Sequence, residues 1–207
     1  MSADLDTLTT RLLVRLGLPS TDGMFPTGTT DQLINDGLKA MATDYDWPWL
    51  QVDTTFSTAV GDENYTPPAN WTRTLWISDG QNDLELRQRR DLTRWLDTAN
   101  LGRSRFYAVY GEQIILAPIP NEVRTLRHGY IRSEAVLATG TDVALCPAPY
   151  DDLIVHYAMQ EAAIFLKDST MYQMAGQEIA KQKQRISDNI RRSASPVRIK
   201  ARKDWGL

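Results

Sequence analysis

The chain of 207 residues has one cysteine, Cys146, and two histidines, His128 and His156. A single thiol cannot close an internal disulfide, which fits a reducing compartment. No cysteine or histidine pair has the spacing of a zinc site, so no metal and no cofactor are expected. Apolar runs stay well short of the roughly 20 residues that a membrane span needs. The opening MSADLDTLTTRLLVRLG places acids before its first base and lacks a long apolar stretch, unlike a secretory signal. The Asn70-Trp71-Thr72 sequon accordingly reads as chance. Phosphate loops, Gly-x-Ser-x-Gly elbows and Gly-x-Gly-x-x-Gly runs are also missing. What remains is ordinary: 42% hydrophobic and 24% charged residues argue for a folded chain that buries a core.

The net charge of −3 hides an uneven distribution. From Lys181 to Leu207 there are nine bases and two acids, a net of +7 that leaves −10 for residues 1–180. Such a split points to an interacting tail, with nucleic acid or an acidic protein as its partner.

Hydrophobic spacing predicts a helix from Asp4 to Leu16 and a second one capped by Thr29 or Thr30 that carries Leu33, Ile34, Leu38, Met41 and Tyr45. The middle of the chain then changes period. Val52–Thr58, Tyr65–Thr66, Trp71–Ile77, Phe106–Tyr110, Gln113–Ala117 and Arg124–Arg132 read as strands. Gly111-Glu112 suggests a hairpin turn between two of them. Arg89–Leu101 reads as a helix with Leu92, Trp95, Leu96 and Ala99 on one face. Pro147, Pro149, Asp151 and Asp152 then announce a helix to Lys167, buried along Leu153, Ile154, Tyr157, Ala158, Ala162 and Phe165. A last helix, from Thr170 to Arg192, shows a thinner stripe of Met171, Met174, Ile179, Ile186 and Ile190, and Ser193–Pro196 breaks it.

This outline predicts an α+β, mainly α fold. It has N-terminal bundle helices in 1–49, an antiparallel β-rich insertion with one helix in 50–135, C-terminal bundle helices in 136–192 and an extended basic arm in 193–207. Catalytic chemistry finds little support. Each histidine reads as an ordinary helix or strand residue, and Cys146 as an inert, partly buried thiol. Asp44-Tyr45-Asp46-Trp47 is the nearest approach to a carboxylate pair, yet sequence neighbours rarely face each other across a substrate. The plainer reading has Trp47 and Trp49 anchoring the bundle to the β region. The run with Arg87, Arg89, Arg90 and Arg94 reads as a solvated face, since no exposed aromatics interleave with it in sequence. In the arm, Val197, Ile199 and Trp205 would be wasted on a tail that only solvates.

Several landmarks stand in a familiar order: Ile34-Asn35-Asp36-Gly37-Leu38, Tyr45-Asp46-Trp47-Pro48-Trp49-Leu50, Tyr65-Thr66-Pro67-Pro68 and Phe106-Tyr107. Ile114-Ile115-Leu116-Ala117-Pro118-Ile119-Pro120, Tyr130, Cys146-Pro147 and Tyr150-Asp151-Asp152-Leu153-Ile154 follow. The series resembles the head-to-tail adaptor (connector, or head-completion) proteins of tailed bacteriophages over about residues 1–190. The resemblance implies a structural virion protein of the phage neck at the capsid-tail junction, made in the host cytoplasm and without an active site. It implies a twelvefold homo-oligomeric ring docked on the portal protein, with the next neck or tail protein as a further partner. Genomic DNA would pass through its channel at ejection without sequence-specific binding, and no membrane is involved. The expected interface with portal or neighbouring subunit comprises Ile186, Ile190, Val197, Arg198, Ile199, Lys200, Arg202 and Trp205. The alternative reading is a nucleic-acid-binding module that uses the basic last helix and tail.

Overall fold

The computed structural model describes residues 2–18, 25, 28–96 and 101–194, with backbone alone at 190–194. Helix α1 (Leu5–Arg15) starts where the Asp4 carboxylate accepts the Thr7 N–H at 2.9 Å. This satisfies one of the N–H groups that a helix start leaves without a partner. Leu5, Leu8, Leu12 and Leu13 form its buried face. Helix α2 (Thr29–Asp44) follows Gly28, which sits at φ 82 and contributes no side-chain cap. Because that left-handed glycine turns the chain into the helix, Thr29 and Thr30 both lie inside the first turn and neither caps it.

Between the helices the chain builds two small sheets. The strands are β1 (Gln51–Ser57), β2 (Asn64–Tyr65), β3 (Trp71–Ser78) and β4 (Glu85–Leu86), and after the short helix α3 (Arg89–Leu92) come β5 (Phe106–Tyr110), β6 (Gln113–Ala117) and β7 (Thr125–Arg132). One sheet has the order β1-β7-β3 and the other β2-β6-β5-β4. Pairing is antiparallel except between β4 and β5, where Glu85 and Leu86 run parallel to Phe106 and Tyr107. The expected antiparallel insertion therefore contains one parallel pair, made by a strand too short to show any alternation in sequence. Gly111 and Glu112 join β5 to β6 with φ of 58° and 60°, the left-handed geometry that tight hairpins use. Strand β6 is buried at every position from Ile114 to Ala117 because both of its faces are covered. Ile114 and Leu116 pack with Ile77, Tyr107 and Leu126, while Ile115 and Ala117 pack with Leu92 and Ala108.

The expected helix over Arg89–Leu101 stops early. After Leu92 the chain tightens into a 3₁₀ turn, Thr93–Trp95, and Leu96 leaves it. The Thr93 hydroxyl donates to the Arg90 carbonyl at 3.0 Å, competing with helical backbone bonding, and Trp95 folds against Phe106 with ring centroids 5.8 Å apart. Residue 99 of that expected face lies outside the described residues.

Two long helices close the fold, α4 (Asp151–Leu166) and α5 (Ser169–Ala194). Lys167 ends α4 at φ 56, and the Asp168 carboxylate then accepts the N–H groups of Thr170 and Met171 at 2.9 and 3.0 Å. Helix α5 reaches Ala194, past the expected break at Ser193. Helix α4 is enclosed by α1, α2 and α5. A Cβ on Gly37 would lie 2.6 Å from the Ala158 nitrogen, so α2 and α4 cross at a distance only glycine allows. Helices from both ends of the chain thus share one core, and the strands lie between them in sequence. The fold is α+β and mainly α. Three expected core residues lie elsewhere: Tyr45, just past the end of α2, is 46% exposed, and Phe165 and Met174, near the α4–α5 turn, are 56% and 61% exposed, the Phe165 ring lying 5.7 Å from that of Phe25.

Candidate assembly interface

Trp47 connects the two regions. It is fully buried, its Nε1 donates to the Met41 carbonyl at 2.7 Å, and its ring stacks on Trp49 at 4.8 Å. Trp49 in turn stacks on Tyr150 at 5.5 Å, ahead of α4, and its carbonyl accepts from Arg132 of β7 at 3.1 Å. Pro48 breaks the run between the tryptophans and starts a 3₁₀ turn over Pro48–Leu50 that leads directly into β1.

The neighbouring carboxylates are committed to structure. Asp44 accepts from the Tyr157 hydroxyl of α4 and from Lys183 Nζ of α5, the latter at 2.5 Å, so one side chain ties three helices. Burial alone would raise its pKa, but the bonds from Lys183 and Tyr157 outweigh burial and hold it below the usual carboxylate value. Asp46 pairs with Arg73 of β3. The two carboxylates therefore serve different partners and do not face one another.

The remaining titratable candidates are interior. His128 is fully buried in β7, with Nε2 3.0 Å from the Thr74 hydroxyl, and burial lowers its pKa. His156 is 4% exposed in α4 and is likewise lowered, by burial first and by Arg15 second. Cys146 is fully buried rather than partly so, and burial aided by the Asp151 and Glu134 charges pushes its thiol far up, away from the reactive thiolate. No group of three or more His, Cys, Asp or Glu that could hold a metal ion occurs among the described residues.

The expected interface residues fall in three places. Ile186 is 2% exposed and packs in the core with Ile179 and the α4 side chains, so its surface is used by this chain. Ile190 lies on the α5 backbone, and its side chain is outside the description. Val197, Arg198, Ile199, Lys200, Arg202 and Trp205 lie outside the described residues. Of the basic face of α5, Lys181 pairs with Glu178 at 2.5 Å and Lys183 with Asp44.

The arginine run read from the sequence as a solvated face, rather than a nucleic-acid patch, lies beside aromatics in the β region. Arg87 sits over Phe106, Arg89 over Tyr110 and Arg94 over Trp95, with centroid distances of 5.6, 4.8 and 5.2 Å. For Arg87 and Arg89 the aromatic partners come from β5, about twenty residues further along, which is why no interleaving shows in the sequence. Leu86 and Tyr110 beside them are 60% and 59% exposed. No helix among the described residues is long and apolar enough to cross a membrane.

A protein-family model described as SU10 adaptor protein matches residues 3–200, which include both sheets and helices α1 to α5 of the described residues. No curated protein matches the chain.

Proposed function

This chain belongs to the SU10 adaptor protein family, and on that premise we propose that it builds the ring that joins a phage's capsid portal to its tail and extends the DNA channel. The observation that carries this reading is the length of the family match, which runs over residues 3–200 and so takes in the helical core and both sheets together. It is supported by the way the reactive side chains are used: Asp44 ties helices together, and the histidines and the thiol are interior. In this role the protein is structural, sits at the capsid-tail junction of the virion, and takes the portal ring, its own copies and the next neck or tail protein as partners. Twelvefold symmetry would match the portal.

The arm from Ser193 extends this reading. Pro196 disfavours continued helix, and if the residues after it were extended, Val197 and Ile199 would share one side and Arg198 and Lys200 the other. Each exposed ion pair contributes about 0–1 kcal/mol. Burial of a large apolar side chain such as Trp205 contributes about 1.5–3 kcal/mol before ordering costs, so apolar anchoring sets affinity and the bases set approach rate. Cryo-imaging of the purified protein mixed with portal rings tests the proposal. Rings seated on the portal are expected for the full chain, with occupancy lost on deletion of 194–207 and largely lost for Trp205→Ala. Full occupancy by the deletion would refute the arm's part, and absence of any bound density would refute the ring.

A further inference from the structure

Two surfaces at opposite ends of β7 carry exposed apolar side chains and opposite net charge. At the Arg132 end an open groove of about 710 Å³ runs between the edge strand β3 and the edge strand β4. Its floor and walls include Leu86, Val109 and Tyr110, which are 60%, 37% and 59% exposed. Arg73, Arg87 and Arg89 border it; Arg73 is paired with Asp46 and Arg87 with Glu85, while Arg89 enters no ion pair among the described residues and carries the net positive charge of the rim. At the Thr125 end, the loops after β1 and before β7 form a knob. Val60 and Val123 project from it at 57% and 68% exposure. The same loops carry three acids, Asp62, Glu63 and Glu122, against one base, Arg124, which is paired to Glu122.

The knob is preformed. Thr58 N–H donates to the Arg124 carbonyl at 2.8 Å, and the Thr58 hydroxyl bonds the Glu122 carbonyl at 2.9 Å. Gly61 N–H reaches the Pro120 carbonyl at 3.0 Å, and the Tyr65 hydroxyl holds the Asp62 carbonyl at 3.0 Å. Two exposed valines on loops fixed by this many bonds, with a net negative charge on the same loops, present an apolar tip that costs little ordering to dock. The groove offers the complement: an apolar floor, a rim with one unpaired arginine, and the edge strands β3 and β4 of the two sheets.

Along β7 the two surfaces lie about 25 Å apart, since Trp71 and Thr74 register with Arg132 and Tyr130 while Ser57 registers with Thr125. They therefore cannot meet within one copy. A contact between two different patches is heterologous and propagates head to tail, closing into a ring when the rotation allows. We propose that the Val60/Val123 knob of one copy docks in the Leu86/Tyr110 groove of the next, so that the β region is the lateral contact between subunits. This rests on the ring proposed above.

Cross-linking tests it in the full chain, where the native Cys146 is buried and does not compete. A Tyr110→Cys, Val123→Cys double variant treated with a short bis-maleimide is expected to give a covalent ladder of dimer, trimer and higher species. Either single variant alone should give none, and a mixture of the two should stop at dimer. Val123→Asp should weaken self-association at least tenfold in native mass spectrometry while leaving the melting temperature unchanged. Dimers from one single variant by itself would show a symmetric contact and overturn the proposal. So would a double variant that stays monomeric on gels under conditions where wild-type rings are seen. If wild type forms no ring, alone or on portal, the ring reading fails first and this contact with it.

Discussion

Gly37 and Gly176 both lie inside helices, and the fold assigns opposite signs to the same substitution at the two sites. Gly→Ala inside a helix favours the folded state by about 1 kcal/mol through backbone entropy. At Gly37 the added methyl would lie 2.6 Å from the Ala158 nitrogen and 2.9 Å from its Cα. These are backbone atoms of a helix packed by α1, α2 and α5, so they cannot turn aside as a side chain could. Overpacking of this kind costs about 1–3 kcal/mol and typically exceeds the propensity gain. At Gly176 the nearest atom is the Gln160 side-chain nitrogen at 3.1 Å, the far end of a flexible chain. Gly37→Ala is therefore expected to lower stability by about 1–2 kcal/mol, and Gly176→Ala to raise it by about 0.5–1 kcal/mol. For a chain of this size 1 kcal/mol moves Tm by about 2–4 °C, so the two variants should separate on either side of wild type. Thermal melts and urea titrations at neutral pH measure both, and unchanged urea slopes would show that folded-state stability alone moved. Equal shifts in one direction would mean that the Gly37–Ala158 approach does not set the α2–α4 distance, and the packing account would fall.

Ile186→Asp should destabilise the monomer itself by about 3–5 kcal/mol, because it loses a buried side chain and leaves an unpaired buried carboxylate, whereas Met174→Asp, at 61% exposure, should stay within about 0.5 kcal/mol. Circular dichroism melts decide this, and an Ile186→Asp protein that melts like wild type would remove that residue from the core. Burial holds His128 and His156 below the ordinary 6.5, so the unfolded chain takes up protons near pH 6.5 that the folded chain refuses. Stability should be full above that pH and decline as the pH falls through 6.5 toward the folded-state values. His128→Gln should flatten the dependence of Tm on pH between about 7.5 and 5.5, and identical slopes for variant and wild type would refute the assignment.

Local pattern carried much of this fold. The periodic leucines of α1 and α2, the acids in the first turn of α4 and the alternating middle strands follow from side-chain spacing, because an amphipathic helix or strand must bury one face wherever the rest of the chain goes. The run Trp47-Pro48-Trp49 was legible as a joint for the same reason: a proline between two large apolar residues turns the chain just after α2, where Trp47 is buried and Trp49 stacks on it. The order of such landmarks also carried the family.

Tertiary structure alone decided the rest. Nothing local distinguishes Ile186 in the core from Met174 in water, because both sit on one helix and only the placement of α4 selects the covered face. The Glu85-Leu86 strand exists because β5 offers it a parallel edge, and two residues cannot show a period. The same edge pairing helps bring Arg89 over Tyr110 and opens the groove beside them, while hydrogen bonds across some sixty residues assemble the Val60/Val123 knob. Composition determined that this chain would fold and which residues preferred to be inside. Which apolar side chains were left over for a neighbour was settled by long-range packing, since burial is shared among elements that meet only in three dimensions.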